Sequence, residues 1–268
     1  AEEAERVRHW MRFGFVILPG AITEAMADTL RGEVEAAWEE RDPRYLVELD
    51  GVRSVLDPTL RSRHYKLLDQ YAHSAGARAA AFAPAVRDFM KLVFDRDVLL
   101  FQSLTFERGS GDPVHQDTSS VVVTSPLEFA ASWIALEDIR PGSGELEYYP
   151  GSQRMPEHYF GGKYRNWNRE RDGVDERARY LESLHEKASD MGLSLESFLP
   201  SKGDALIWAA DLAHGGSAVT DPGLTRWSFV CHYCPSGVRP YYFAYRPRQA
   251  VVRDHSEGCT YSSSHYPL

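Results

Sequence analysis

Cysteine is scarce in this chain. Only Cys231, Cys234 and Cys259 occur, and an odd, sparse set argues against a disulfide framework and for a reducing compartment, the cytoplasm. Long apolar runs are missing as well. None reaches the roughly 18 residues of a membrane span, so no membrane partner is expected. No signal peptide is visible, although the sequence opens at Ala-Glu-Glu without a methionine. Positive charge is in deficit: 30 Lys and Arg stand against 39 Asp and Glu, a net charge of -9. That argues against a nucleic-acid partner, because neutralising phosphates needs clustered cations. Internal repeats and low-complexity segments are absent. What remains is 43% hydrophobic and 26% charged, enough for a sizeable core.

The 268 residues suit one all-β domain with added helices. We read 1–268 as a single domain with a helical part over about 1–97. Ile22, Met26, Leu30, Val34 and Trp38 recur every four residues and predict a helix, with Thr23 as its N-cap. Phe13 to Leu18 predicts a short strand before it. A second helix is predicted from about Pro84 to Phe94, with Val86, Phe89, Met90, Val93 and Phe94 on its buried face.

From Val98 the texture changes, and a β core is expected over about 98–153 and 201–235. Val98–Phe101, Leu104–Phe106, the β-branched run Val121–Thr124 and the apolar segment Phe129–Leu136 are strand-like. Glu145–Tyr148 alternates as a half-buried strand does, after a turn at Gly142-Ser143-Gly144. Ala205–Ala210 and Arg226–Tyr233 follow. Many short strands with Gly and Pro turns suggest a sandwich or barrel. Residues 154–200 form a charged insertion with aromatic interludes, holding a helix from about Asp175 to Ser189 and suited to a lid. Residues 236–268 are a tail rich in Tyr, His and Ser.

The chemistry centres on His115-Gln116-Asp117. On an extended segment residues i and i+2 share a face, so His115 and Asp117 can grip one metal ion. His214, about a hundred residues later in Ala213-His214-Gly215-Gly216, is the candidate third ligand. Two histidines and a carboxylate on one face leave the opposite face open, as in non-haem Fe(II) oxygenases. Arg226 lies 12 residues after His214 and opens the next strand, with Ser228 on its side. A guanidinium fork and a hydroxyl suit the distal carboxylate of a dicarboxylic co-substrate. Cys231-His232-Tyr233-Cys234 spells CxxC but has no second pair, and a structural zinc site needs four ligands.

These motifs carry a resemblance. His115-Gln116-Asp117, Trp133 in Ser-Trp-Ile-Ala-Leu-Glu-Asp, Gly144-Glu145-Leu146 to Tyr149-Pro150-Gly151-Ser152, His214-Gly215 and Arg226-Trp227-Ser228 leading into Cys231-His232-Tyr233 resemble the phytanoyl-CoA dioxygenase family of Fe(II)- and 2-oxoglutarate-dependent oxygenases. The match spans about residues 60 to 235. It implies a mainly β fold, a double-stranded β-helix or jelly roll, with flanking N-terminal helices and an inserted lid segment. It also implies Fe(II), 2-oxoglutarate and O2 as cofactors. His115, Asp117 and His214 would hold the metal. Arg226 would bind the 2-oxoglutarate carboxylate, with Ser228, Trp133, Gln102 and Lys66 lining that cofactor. Gln153 departs from the pattern, standing where the turn usually carries His. Relatives that halogenate lack the carboxylate, so Asp117 points to hydroxylation or another oxidation of a small-molecule C–H bond, releasing succinate and CO2. The alternative is a non-catalytic or differently metallated jelly-roll protein that binds a ligand. Neither substrate nor oligomeric state is specified by these residues.

Overall fold

The computed structural model describes residues 2–268. Its framework is a ten-stranded sheet and a three-stranded sheet, mainly antiparallel, with helices flanking the larger one. In the large sheet the order runs Phe15–Leu18, Ala205–Ala209, Ala130–Ala135, Ser228–Pro235, Val98–Phe106, Lys66–Leu68, Leu46–Leu49 and Val52–Val55. The small sheet pairs His214–Gly216 with Leu146–Tyr148, and Leu146–Tyr148 with Glu196–Phe198. The architecture is the expected jelly roll.

Both faces of the large sheet are covered, which explains why Ala130–Ala135 and Ser228–Pro235 are buried at every position. One face meets the helices. Ala130, Ile134, Ile207, Phe229, Cys231 and Tyr233 pack there against Ala27, Leu30, Val34, Trp38, Val86 and Met90. The helix Glu24–Glu40 supplies this layer because its four-residue apolar stripe faces one way. Thr23 starts it, its hydroxyl accepting the Met26 N–H at 3.2 Å, a cap of the kind that contributes about 1 kcal/mol. The helix Pro84–Phe94 adds Val86, Phe89 and Met90. The other face of the sheet lines the interior. Phe106, Trp133, Leu206, Trp208 and Val230 meet Leu146, Tyr148 and Phe198 of the small sheet. The two sheets therefore close around a second core, and the site sits at one end of it.

Several expectations need correction. The amino-terminal third also contains the helices Glu2–Phe13 and Ala75–Ala81 and, besides the expected Phe15–Leu18, three short strands. Those three extend the large sheet beyond Val98–Phe106, which is one strand rather than two pieces. Val121–Thr124 is not a strand. It makes a single bridge, Val123 to Pro240, and its apolar character serves packing against Phe129, Val238 and Tyr242. The insertion ends earlier than expected, since Glu196–Phe198 belongs to the small sheet. Its helix starts earlier, spanning Arg169–Asp190 with a break at Gly173. Arg226 precedes its strand, which begins at Ser228. The tail returns to the large sheet: Cys259–Tyr261 pairs in parallel with Val98–Leu100. Cys231 and Cys234 pack into different cores, one toward the helices and one toward Phe101 and Tyr242. No helix among the described residues is long and apolar enough to cross a membrane.

Candidate functional site

Backbone pairing places both histidines. His115 and His214 lie opposite one another and exchange both amide bonds, His115 N–H to the His214 carbonyl at 2.8 Å and the reverse at 2.9 Å. Side chains of directly opposed residues leave on the same face, and the ring centroids here are 4.7 Å apart. Gly215 permits the close approach. A Cβ there would fall 2.8 Å from the Val114 nitrogen and 2.9 Å from the Asp112 carbonyl oxygen. Gln116 is extended, which returns Asp117 to the face of His115 before the chain turns at Asp117–Ser119.

Hydrogen bonds fix the tautomers. Each imidazole donates from Nδ1 to the carbonyl two residues earlier, Pro113 for His115 and Leu212 for His214, both at 2.9 Å. A carbonyl only accepts, so Nδ1 carries a proton in each ring, and Nε2 is the nitrogen that offers its lone pair when the ring is neutral. The two Nε2 atoms lie 3.6 and 3.7 Å from Asp117 Oδ1. All three ligand atoms fall within 4.8 Å of one another. Burial alone would push the Asp117 carboxyl up, but the imidazoles of His214, His232 and His115 outweigh it and hold the group well below the usual carboxylate range. Burial drives the His214 imidazole down to about 4 against the pull of Asp117. Burial also pulls on His115, but there the hydrogen bond and charge of Asp117 prevail and the net direction is up. A negative carboxylate and two imidazole Nε2 atoms facing it, which give up any proton there to a metal, are the donor set that a divalent cation needs.

The same cavity, of about 500 Å³, is lined by His115, Asp117, His214, Arg226, Trp133, Gln102 and Lys66. Arg226 is 3% exposed. Its guanidinium lies 5.2 Å from the Phe106 ring centroid and 5.6 Å from that of Trp133. Among the described residues it forms no ion pair, and its Nε, the Trp133 Nε1 and the Ser228 Oγ are buried without hydrogen-bond partners. Burial lowers the guanidinium to about 10, so it is still charged at neutral pH. A buried, unpaired cation beside orphaned donors is costly unless an anion completes it. A dicarboxylate such as 2-oxoglutarate fits that need. Lys66 differs, because Asp112 already pairs with it at 3.1 Å. Ser228 is fully buried and does not line the cavity surface.

Sequence reasoning missed several cavity residues. Trp208 and His232 both reach Asp117. Arg177 comes from the inserted helix, and Tyr241, Tyr242, Tyr245 and His265 come from the tail. The available signal was two-residue alternation, which puts Leu206 with Trp208 and Val230 with His232 on one face.

No curated protein sequence matches the chain. Solved structures do. The epimerase SnoN from nogalamycin biosynthesis, in complex with Fe3+, alpha ketoglutarate and nogalamycin RO, is 16% identical, with a TM-score of 0.66 over 91% of this chain and 88% of its own. The carbocyclase SnoK, also from nogalamycin biosynthesis, is 17% identical, with a TM-score of 0.66 over 91% of this chain and 90% of its own. HygX from Streptomyces hygroscopicus, with nickel and 2-oxoglutarate bound, is 18% identical, with a TM-score of 0.58 over 87% of each chain. At such identities the likeness is one of fold. The sequence profile described as phytanoyl-CoA dioxygenase (PhyH) matches residues 10–226, most of the sequence, including His115, Asp117, His214 and Arg226. The chain therefore belongs to the phytanoyl-CoA dioxygenase family, and its His-Asp-His cluster sits in the fold of iron- and 2-oxoglutarate-dependent enzymes.

Proposed function

We propose that the protein is an Fe(II)- and 2-oxoglutarate-dependent dioxygenase that hydroxylates, or otherwise oxidises, a C–H bond of a small molecule, with release of succinate and CO2. The observation that carries this reading is the pairing, in one cavity, of the His115–Asp117–His214 cluster with a buried arginine that has no carboxylate partner. A metal-binding module without a co-substrate has no use for such an arginine. The fold itself does not choose the reaction, since the similar structures include an epimerase and a carbocyclase.

His115, Asp117 and His214 would hold the iron, and Arg226 would take the distal carboxylate of 2-oxoglutarate. Trp133 offers its orphaned N–H from the cavity wall, Ser228 would need a small shift to bring its orphaned O–H to the cavity surface, and Gln102 and Lys66 line the approach. When bound, the iron and 2-oxoglutarate supply O2 activation, chemistry that no side chain provides. The protein's part is placement and dryness. Nδ1–H donation to Pro113 and Leu212 holds both imidazoles in the ligating tautomer, and Phe106, Trp133, Leu146 and Val230 keep water from the cavity wall. The test is succinate formation from 2-oxoglutarate in air with added Fe(II), run against a small-molecule panel. No succinate under any condition, with iron and 2-oxoglutarate both failing to bind, would remove the reading.

A further inference from the structure

We propose that Trp208 and His232 are positioning residues that clamp the outer oxygen of Asp117, so that this carboxylate meets its metal through Oδ1 alone. The inference rests on reading the His115–Asp117–His214 cluster as a metal centre.

Strand register builds the clamp. Ala131 is paired with Trp208 on one side and with His232 on the other, and His232 is paired in turn with Gln102. Residues in one such row point to the same face of a sheet. Trp208 and His232 thus stand two strands apart with only the alanine methyl between them, and that gap admits the Asp117 carboxylate. Trp208 Nε1 donates to Asp117 Oδ2 at 2.8 Å, and His232 Nε2 lies 3.3 Å from the same oxygen. An ionised carboxylate only accepts, so His232 donates. Oδ1 is left facing the two imidazole Nε2 atoms.

Both side chains serve this oxygen and nothing else polar. The His232 Nδ1 is buried without a partner, and Trp208 Nε1 has no second acceptor. Phenylalanine would fill either position in this apolar layer without the need to satisfy a donor. The two N–H groups therefore act on Asp117. A carboxylate bound through both oxygens occupies two coordination positions. With two donors on Oδ2 it would occupy one, leaving more positions for other ligands.

Co(II) alone is the probe, titrated anaerobically without 2-oxoglutarate, so no turnover is involved. Trp208→Phe and His232→Leu should each weaken Co(II) binding by about 10- to 100-fold and alter the visible Co(II) spectrum at saturation. His232→Gln, which keeps an N–H donor, should recover most of the affinity. Wild-type affinity and spectrum in Trp208→Phe and His232→Leu would overturn the clamp. So would a His232→Gln as impaired as His232→Leu. If His232→Leu does not fold, the nearly isosteric Trp208→Phe decides. Failure of the wild-type protein to bind Co(II) would sink the metal-centre reading instead, and the two failures are thereby distinct.

Discussion

Replacing Arg226 separates binding from folding more sharply than any other change. Arg226 is 3% exposed and has no ion-pair partner among the described residues, and its guanidinium lies beside the rings of Phe106 and Trp133. If it pairs with the distal carboxylate of 2-oxoglutarate, Arg226→Ala leaves that carboxylate beside Phe106 and Trp133 without its fork. Truncating one partner of a buried, hydrogen-bonded charge pair costs about 2 to 5 kcal/mol. At about 1.4 kcal/mol per tenfold, 2-oxoglutarate affinity should fall by roughly 30- to 4000-fold. Arg226→Lys should recover only part, because an ammonium keeps the charge but loses the bidentate geometry. Stability without ligand should behave differently. Burial lowers this guanidinium to about 10, below its unfolded value, so the charged group costs the folded state free energy while it is unpaired. Arg226→Met keeps the stem and removes the charge, and its ligand-free Tm should match or exceed that of the wild type. With 2-oxoglutarate at about 100 times Kd, the wild type should gain ~2.7 kcal/mol, and Arg226→Met almost nothing. The assays are 2-oxoglutarate titration at fixed Fe(II) and thermal unfolding with and without ligand. An unchanged 2-oxoglutarate affinity in Arg226→Ala would refute the reasoning and turn attention to Lys66, freed from Asp112.

Three further outcomes are expected. His115→Ala, Asp117→Ala and His214→Ala should each abolish succinate release, and iron stoichiometry should fall for both histidine variants; wild-type turnover in any of the three would displace the proposed site. Limited proteolysis should spare the helix Arg169–Asp190, which Tyr180 and Leu184 bury and Tyr180 ties to Gln116 at 3.2 Å. Any closure of the insertion should appear as protection of residues 159–166 on loading with metal, 2-oxoglutarate and substrate; equal cleavage in every state would leave the insertion a fixed wall. Asp69 is fully buried, and burial raises its carboxyl to about 7 although Ser263 and Ser103 donate to it. The folded chain then keeps a proton that the unfolded chain loses above about pH 4, so stability should decline as pH rises from about 4 to 7. Denaturant midpoints of Asp69→Asn should fall less over that window, and parallel curves would show that Asp69 does not titrate there.

Local pattern determined much of this molecule. The stripe from Ile22 to Trp38 and the Thr23 cap define a helix because one turn decides each contact. The alternation at Leu146–Tyr148 marks a strand with one buried face. The two-residue spacing of His115 and Asp117 brings the two side chains together because an extended backbone does so wherever it occurs. His214 was legible as the candidate third ligand only in combination with that motif and with Arg226. Other features have no local signature. Lys66–Leu68 and Cys259–Tyr261 are too short to show a period, and they are strands because Val98–Phe106 offers them edges. The run Val121–Thr124 has strand composition, yet the tail packs against it and it pairs only through Val123. Trp208 and His232 converge on one oxygen of Asp117 through the register of three strands far apart in the chain. Register is set by nonlocal pairing, and a shift of one residue would turn both side chains to the opposite face. The sequence alone therefore names the candidate ligands, while the tertiary structure decides which neighbours hold them and which charge is left without a partner.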